Sequence, residues 1–79
     1  MKARIKLLGT LPSYYTGSYP ASGIEADLPG NATVAAMVAM IGIPKARIGM
    51  ITINGRLAKA GDSVPEDAEV KFFQKIAGG

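Results

Sequence analysis

Charged and apolar side chains alternate from Lys2 to Leu7, with Lys2, Arg4 and Lys6 on one side and Ala3, Ile5 and Leu7 on the other. A period of two belongs to a strand with one buried face, and it predicts a first strand over residues 3–8. Residues 24–28, Ile-Glu-Ala-Asp-Leu, repeat the alternation and predict a second short strand that Pro29-Gly30-Asn31 ends. Between them, 11–23 interleaves Pro12, Ser13, Gly17, Ser18, Pro20, Ser22 and Gly23 with Tyr14, Tyr15 and Tyr19. Such a composition reads as a loop joining antiparallel strands, its tyrosines either packing the loop or meeting a partner.

The period then changes. Val34, Met37, Val38 and Ile41 stand at i, i+3, i+4 and i+7, one apolar stripe on a helix of about three turns. Thr33 suits the N-cap, Gly42 the left-handed position after the last turn, and Pro44 forbids continuation, so the helix is predicted over 34–41. Its opposite face carries Ala35, Ala36, Ala39 and Met40, and no residue from 32 to 44 is charged. That face is either covered, by a partner or by self-association with a second copy, or a small-residue surface of no consequence.

After Lys45-Ala46-Arg47, the β-branched run 48–53 predicts a third strand, and Asn54-Gly55 is a strong hairpin signal that sends Arg56-Leu57-Ala58 back beside it. Gly61-Asp62 makes another turn, Val64-Pro65 with Glu66, Asp67 and Glu69 leads out of it, and Val70 to Ile76 is the last strand. A lone helix of this length buries its stripe only against a sheet. The order strand, strand, helix, strand, short strand, strand therefore predicts an α+β fold of the β-grasp kind. One mixed sheet of four to five strands packs on one helix, with the first and last strands adjacent at the centre.

In that arrangement Val70 and Phe72 face the helix, while Lys71, Phe73 and Lys75 face away. Lys2, Arg4 and Lys6 of the first strand and Met50 and Thr52 of the third share this outer surface. An aromatic ringed by cations is either a docking surface for an acidic, partly apolar partner or a solvated basic face.

Composition narrows the chemistry. The 79 residues, 48% of them hydrophobic, make one domain with enough apolar content for a core. Cys and His are absent, which removes disulfides, thiolate and imidazole nucleophiles and the ordinary zinc and iron–sulfur sites. Six carboxylates remain, four of them near one turn, and this argues against a self-contained active site. The net charge of +3 comes from nine cations in no block. It gives no positive reason to expect nucleic acid, although a basic nucleic-acid-binding module using the sheet face is the competing interpretation from a different class. No apolar run approaches membrane-spanning length and Leu7-Leu8 is too short for a signal-peptide core, so a soluble cytoplasmic protein with no membrane partner is expected.

The apolar last strand passes through Ala77 and stops on Gly78-Gly79. Together with Leu28-Pro29-Gly30-Asn31-Ala32-Thr33-Val34, Ile53-Asn54-Gly55-Arg56, Gly61-Asp62 and Phe72-Phe73, in this order, the chain resembles the MoaD/ThiS family of ubiquitin-like sulfur carriers. Phe-Phe followed by Ile-Ala-Gly-Gly is more similar to the small subunit of molybdopterin synthase than to the thiamine carrier. Three features depart from the family: Gln74-Lys75 where two prolines are frequent, the Tyr-rich 11–23 loop in place of a short Leu-Arg-Glu segment, and the uncharged outer helix face.

The resemblance implies a chemistry. A terminal carboxylate is an anion at neutral pH and a poor electrophile. A separate adenylating enzyme would use ATP to join it to AMP, a sulfur donor would displace the AMP, and Gly79 would carry a thiocarboxylate for molybdenum- or tungsten-cofactor synthesis. Ala77, Gly78 and Gly79 would form the end of a flexible tail, 76–79, that threads into narrow enzyme sites where a side chain would collide. Phe73, Lys71, Lys75, Arg4, Lys6 and Met50 would dock the partners, the adenylating enzyme and a synthase large subunit. The carrier would bind no cofactor or metal and catalyse nothing itself, though it could be the small subunit of a synthase complex. A thiamine-type carrier, or a ubiquitin-like modifier conjugated through Gly79 to a lysine, shares the first half of this chemistry.

Overall fold

The computed structural model describes residues 1–76 of the chain. Its strands are β1 (Lys2–Leu7), β2 (Ile24–Asp27), β3 (Ile48–Ile53), β4 (Arg56–Ala58) and β5 (Ala68–Gln74), with one helix, α1 (Val34–Ile41), between β2 and β3. They form a single five-stranded sheet in the order β2-β1-β5-β3-β4. Only the central β1/β5 pair is parallel; β1/β2, β3/β5 and β3/β4 are antiparallel.

The alternation along β1 and β5 sets which side is buried. Ala3, Ile5, Leu7, Ala68, Val70 and Phe72 face one way and are almost wholly buried, and Val34 and Met37 of α1 close over that side. Leu11, Ile43 and Val64, which their sequence surroundings place in connections, complete the core. Each is as well covered as a residue of the central strands. Tyr15 and Tyr19 also pack against the core, edge to face at 6.4 Å between ring centroids, and the Tyr19 hydroxyl accepts the Leu7 N–H at 3.0 Å. Two of the three tyrosines thus hold the long loop against β1.

Helix α1 begins and ends where its capping residues predict. The Thr33 hydroxyl accepts the Ala36 N–H at 3.2 Å, and Gly42 stops the last turn at φ 84°. The Val34 and Ala35 N–H groups, which a helix start leaves without internal partners, donate to the Asp62 and Ala60 carbonyls at 2.9 Å each. The 59–63 turn is therefore the platform on which α1 starts. Thr33→Ala is expected to cost about 1 kcal/mol, read as a lower urea midpoint at unchanged slope.

The last strand lies two residues earlier than the Val70–Ile76 prediction. The apolar run masks its start, because Ala68 already pairs with Ala3 and Glu69 with Arg4. Its end is set by Lys75, whose N–H leaves the ladder and donates instead to the Arg47 carbonyl at 2.9 Å. Across from it, β3 shifts register between Ile48 and Met50. Gly49 sits in that irregularity, where an added Cβ would fall 2.9 Å from the Lys75 Cα, so this close approach of two backbones excludes any larger residue.

Candidate functional site

Two features converge at the C-terminal end of β5: the point where the chain leaves the sheet, and the sheet face turned away from α1. Phe72, at 0% exposure, fixes the strand in the core, and its neighbour Phe73 emerges half-buried on the opposite face. Ala77, Gly78 and Gly79 lie outside the described residues. Ile76, the last described residue, is exposed.

The exit is braced on two sides. On one, the Gln74 carboxamide oxygen accepts the Thr10 N–H at 2.6 Å, while Leu8 donates its N–H to the Phe72 carbonyl at 3.0 Å. On the other, the bond from Lys75 to Arg47 ties the strand end to the one-turn 3-10 helix Lys45–Arg47. The Arg47 guanidinium in turn lies 5.5 Å from the centre of the Tyr14 ring, on the 3-10 helix Leu11–Tyr14. A proline at 75 would have no N–H for the Arg47 carbonyl. Gln74 and Lys75 hold by hydrogen bonds a strand end that prolines would stiffen covalently. Neither Thr10 nor the Tyr14/Arg47 contact has a local sequence signal, since each pairs residues more than thirty positions apart or joins a side chain to a distant backbone.

Strand register orders the outer face into rows. Lys2 lies opposite Asp27; Arg4 lies between Glu25 and Glu69; Lys6 lies beside Lys71, with Thr52 next in the row; and Phe73 lies opposite Met50. Arg4 donates to the Glu25 carboxylate at 2.8 Å and to the Ser22 carbonyl at 3.0 Å. Its charge is locally matched, although so exposed a pair adds little stability. The acids therefore occupy one half of the face. The other half, nearest the exit, is cationic and apolar, built from Lys6, Lys71, Phe73 and the 42%-exposed Met50. Two lysines side by side on adjacent strands repel one another, a cost that a carboxylate placed between them would relieve. Lys75 follows the strand and is exposed. The acidic half was readable in principle, because Glu69 has the same strand parity as Lys71, but assigning Glu25 and Asp27 to the same surface needed the β1/β2 register.

Elsewhere, Ala35, Ala36, Ala39 and Met40 are all exposed on α1. Among the described residues, no group of three His, Cys, Asp or Glu side chains could hold a metal ion, and no helix is long and apolar enough to cross a membrane.

No protein-family model matches this chain, and neither does any curated protein. Solved structures do. The crystal structure of SAMP1 from Haloferax volcanii aligns with a TM-score of 0.72 over 100% of both chains, at 22% sequence identity. A crystal structure of H. volcanii small archaeal modifier protein 1 aligns with a TM-score of 0.71 over 95% of this chain and 98% of that one, at 21% identity. At such identity the likeness is one of architecture: five strands in one mixed sheet with one helix across it, the ubiquitin-like β-grasp fold of those small archaeal modifier proteins.

Proposed function

We propose that this protein is a ubiquitin-like carrier that works through the carboxylate of Gly79. The observation that supports this reading most is the placement of β5. A strand locked at the centre of the sheet by Val70 and Phe72 ends in a braced exit, with Ile76 exposed beyond it. A rigid base at the exit suits a group that must be handed from one enzyme to another.

In the reaction, the Gly79 carboxylate attacks the α-phosphorus of ATP, forming an acyl-adenylate and releasing pyrophosphate in the active site of a separate activating enzyme. A sulfide donor then attacks the acyl carbon, AMP leaves with the bonding pair, and the C–S bond completes a thiocarboxylate. The protein itself contributes docking through Lys6, Lys71, Phe73 and Met50, with Arg4 and Lys75 at the margins of that patch. Donation of the sulfur to a molybdopterin-type precursor, with a synthase large subunit closing over the same face, is the fate favoured by the Phe72-Phe73 and Ala77-Gly78-Gly79 pattern.

A second fate is carried by a separate observation, the similarity in fold to proteins described as small archaeal modifiers. In it a lysine amine, rather than sulfur, ends as the acceptor, and Gly79 closes an isopeptide bond.

The test is intact-mass analysis after incubation with ATP, a sulfur source and the host's adenylating enzyme, with the change mapped to a terminal fragment. Mapping matters because replacing oxygen by sulfur adds nearly the mass of one oxidation, and Met1, Met37, Met40 and Met50 can each oxidise. A shift confined to Gly79 supports the carrier. No shift, with the enzyme proven active on another carrier, rejects it. Covalent adducts on other proteins, in place of thiocarboxylate, select the modifier.

The docking patch makes its own prediction. Lys71→Glu and Phe73→Ala are each expected to raise the KM for the carrier in adenylation by at least about tenfold, at nearly unchanged kcat, because neither residue reaches the reacting carboxylate. An effect on kcat alone would place the partner elsewhere.

A further inference from the structure

The stripe on α1 is only half covered by its own sheet. Val34 and Met37 are buried, but Val38 and Ile41 remain half-exposed, and so do Ile48 and Ala58 across from them. Between lies a groove of about 670 Å³, walled by Val38 and Ala39 of α1 on one side and by Ile48, Ile51 and Ala58 of β3 and β4 on the other. It opens on the helix side of the sheet and extends along β3 as far as Met50. The groove is within the size range of ligand-binding clefts and predominantly apolar.

Its two charged lining residues are both cations, and they stand at opposite ends. Lys59 precedes Ala60, whose carbonyl receives the Ala35 N–H at the start of α1. Lys45 lies beyond Gly42, past the end of α1. No carboxylate lines the groove, and among the described residues neither lysine is in an ion pair. The Asp62 carboxylate, the nearest acid in sequence to Lys59, is engaged by the Lys59 backbone N–H at 2.8 Å.

We propose that this groove docks an extended apolar segment of a partner protein that carries carboxylates on both flanks. The eight-residue helix between the two cations spans about 12 Å, the length of about four extended residues. An apolar stretch of that length lying along Val38, Ile51 and Ala58 sets one acidic flank at Lys45 and the other at Lys59. A fatty acid has a single anionic end and leaves one lysine unmatched. A second copy of this chain brings a net charge of +3 to a basic groove. The exposed edge of β4 runs beside the site, so an extended segment can also gain backbone hydrogen bonds there. The groove reaches Met50, which also borders the Phe73 patch, so the two surfaces adjoin at that side chain. The inference does not depend on the chemistry at Gly79.

The test uses a pool of synthetic peptides with about four positions drawn from Ile, Leu, Val and Phe, flanked on both sides by paired glutamates, and a matched pool flanked by lysines. Binding to the full chain is followed by fluorescence anisotropy and mapped by amide chemical shifts. The expected result is retention of glutamate-flanked peptides alone, with shifts centred on Val38, Ile48 and Ala58. The double variant Lys45→Glu/Lys59→Glu should lose at least tenfold in affinity, and Ala39→Trp, at an exposed position on the groove wall, should block binding while leaving the fold intact. No retention from either pool overturns the proposal, as do shifts that map to Lys71 and Phe73 or affinity that survives the double reversal. Palmitate bound in place of the peptides, or groove shifts that grow with protein concentration alone, assigns the groove to a lipid or to a second copy and equally overturns it.

Discussion

Deleting Gly78 and Gly79 is expected to abolish thiocarboxylate formation, down to the level of a reaction without ATP, while the melting temperature moves by less than about 2 °C. The reason is a separation of tasks along β5. Among the described residues every buried core residue lies at or before Phe72, so the deletion removes none of that core. In the proposed reaction activation does call on those glycines, since there the Gly79 carboxylate must reach the α-phosphorus. A subtler variant separates reach from chemistry. Gly78→Ile keeps a terminal carboxylate but adds a branched side chain one residue before it, and a misplacement of about 1 Å at a reacting centre costs on the order of a hundredfold in rate. Both variants are read by the same terminal-fragment mass, beside a thermal melt. Loading that persists after the deletion would place the working group elsewhere and end the carrier proposal.

Phe72→Ala is expected to destabilise the protein by about 3–5 kcal/mol. A chain of 79 residues has a total stability of about 4–12 kcal/mol. This one truncation should therefore leave a large unfolded fraction at room temperature, visible as collapsed amide dispersion and a urea midpoint near zero. Phe72 is at 0% exposure and bridges Leu7 of β1 and Ile51 of β3, so its loss opens a cavity where both halves of the sheet meet the helix. Phe73→Ala, one position along, should cost about 1 kcal/mol or less, because its ring is half-exposed on the other face, yet it should be the more damaging of the two to docking per molecule folded. Equal destabilisation by the two would contradict the assignment of faces.

Much of this fold was legible because its signals are local. The helix runs from Val34 to Ile41, as a threonine cap, a 3.6-residue stripe and a glycine stop predict, and the Asn54-Gly55 turn joins β3 to β4 with φ of 51° and 82° at its two central residues. The boundaries of β5 were less legible, since Ala68 and Glu69 have no strong strand preference and are recruited by pairing with Ala3 and Arg4. Leu11 and Val64 sit among turn residues in sequence but inside the core in space. Nothing within a few residues of either encodes that burial.

The site divides along the same line. Sequence by itself determined which side chains share the outer face of β1 and β5, because a pleat alternates with a period of two whatever surrounds it. It also determined that the chain contains no Cys or His. Only the tertiary structure decided how that face is divided, because strand register sets Glu25, Asp27 and Glu69 beside Lys2 and Arg4. It alone decided that Gln74 and Lys75 are held by Thr10 and Arg47, and that half the helical stripe stays open beside β3. Alternation and capping act between neighbours in the chain, whereas charge pairing across strands, bracing of a chain exit and coverage of a helix are set by distances that exist only after the sheet has closed.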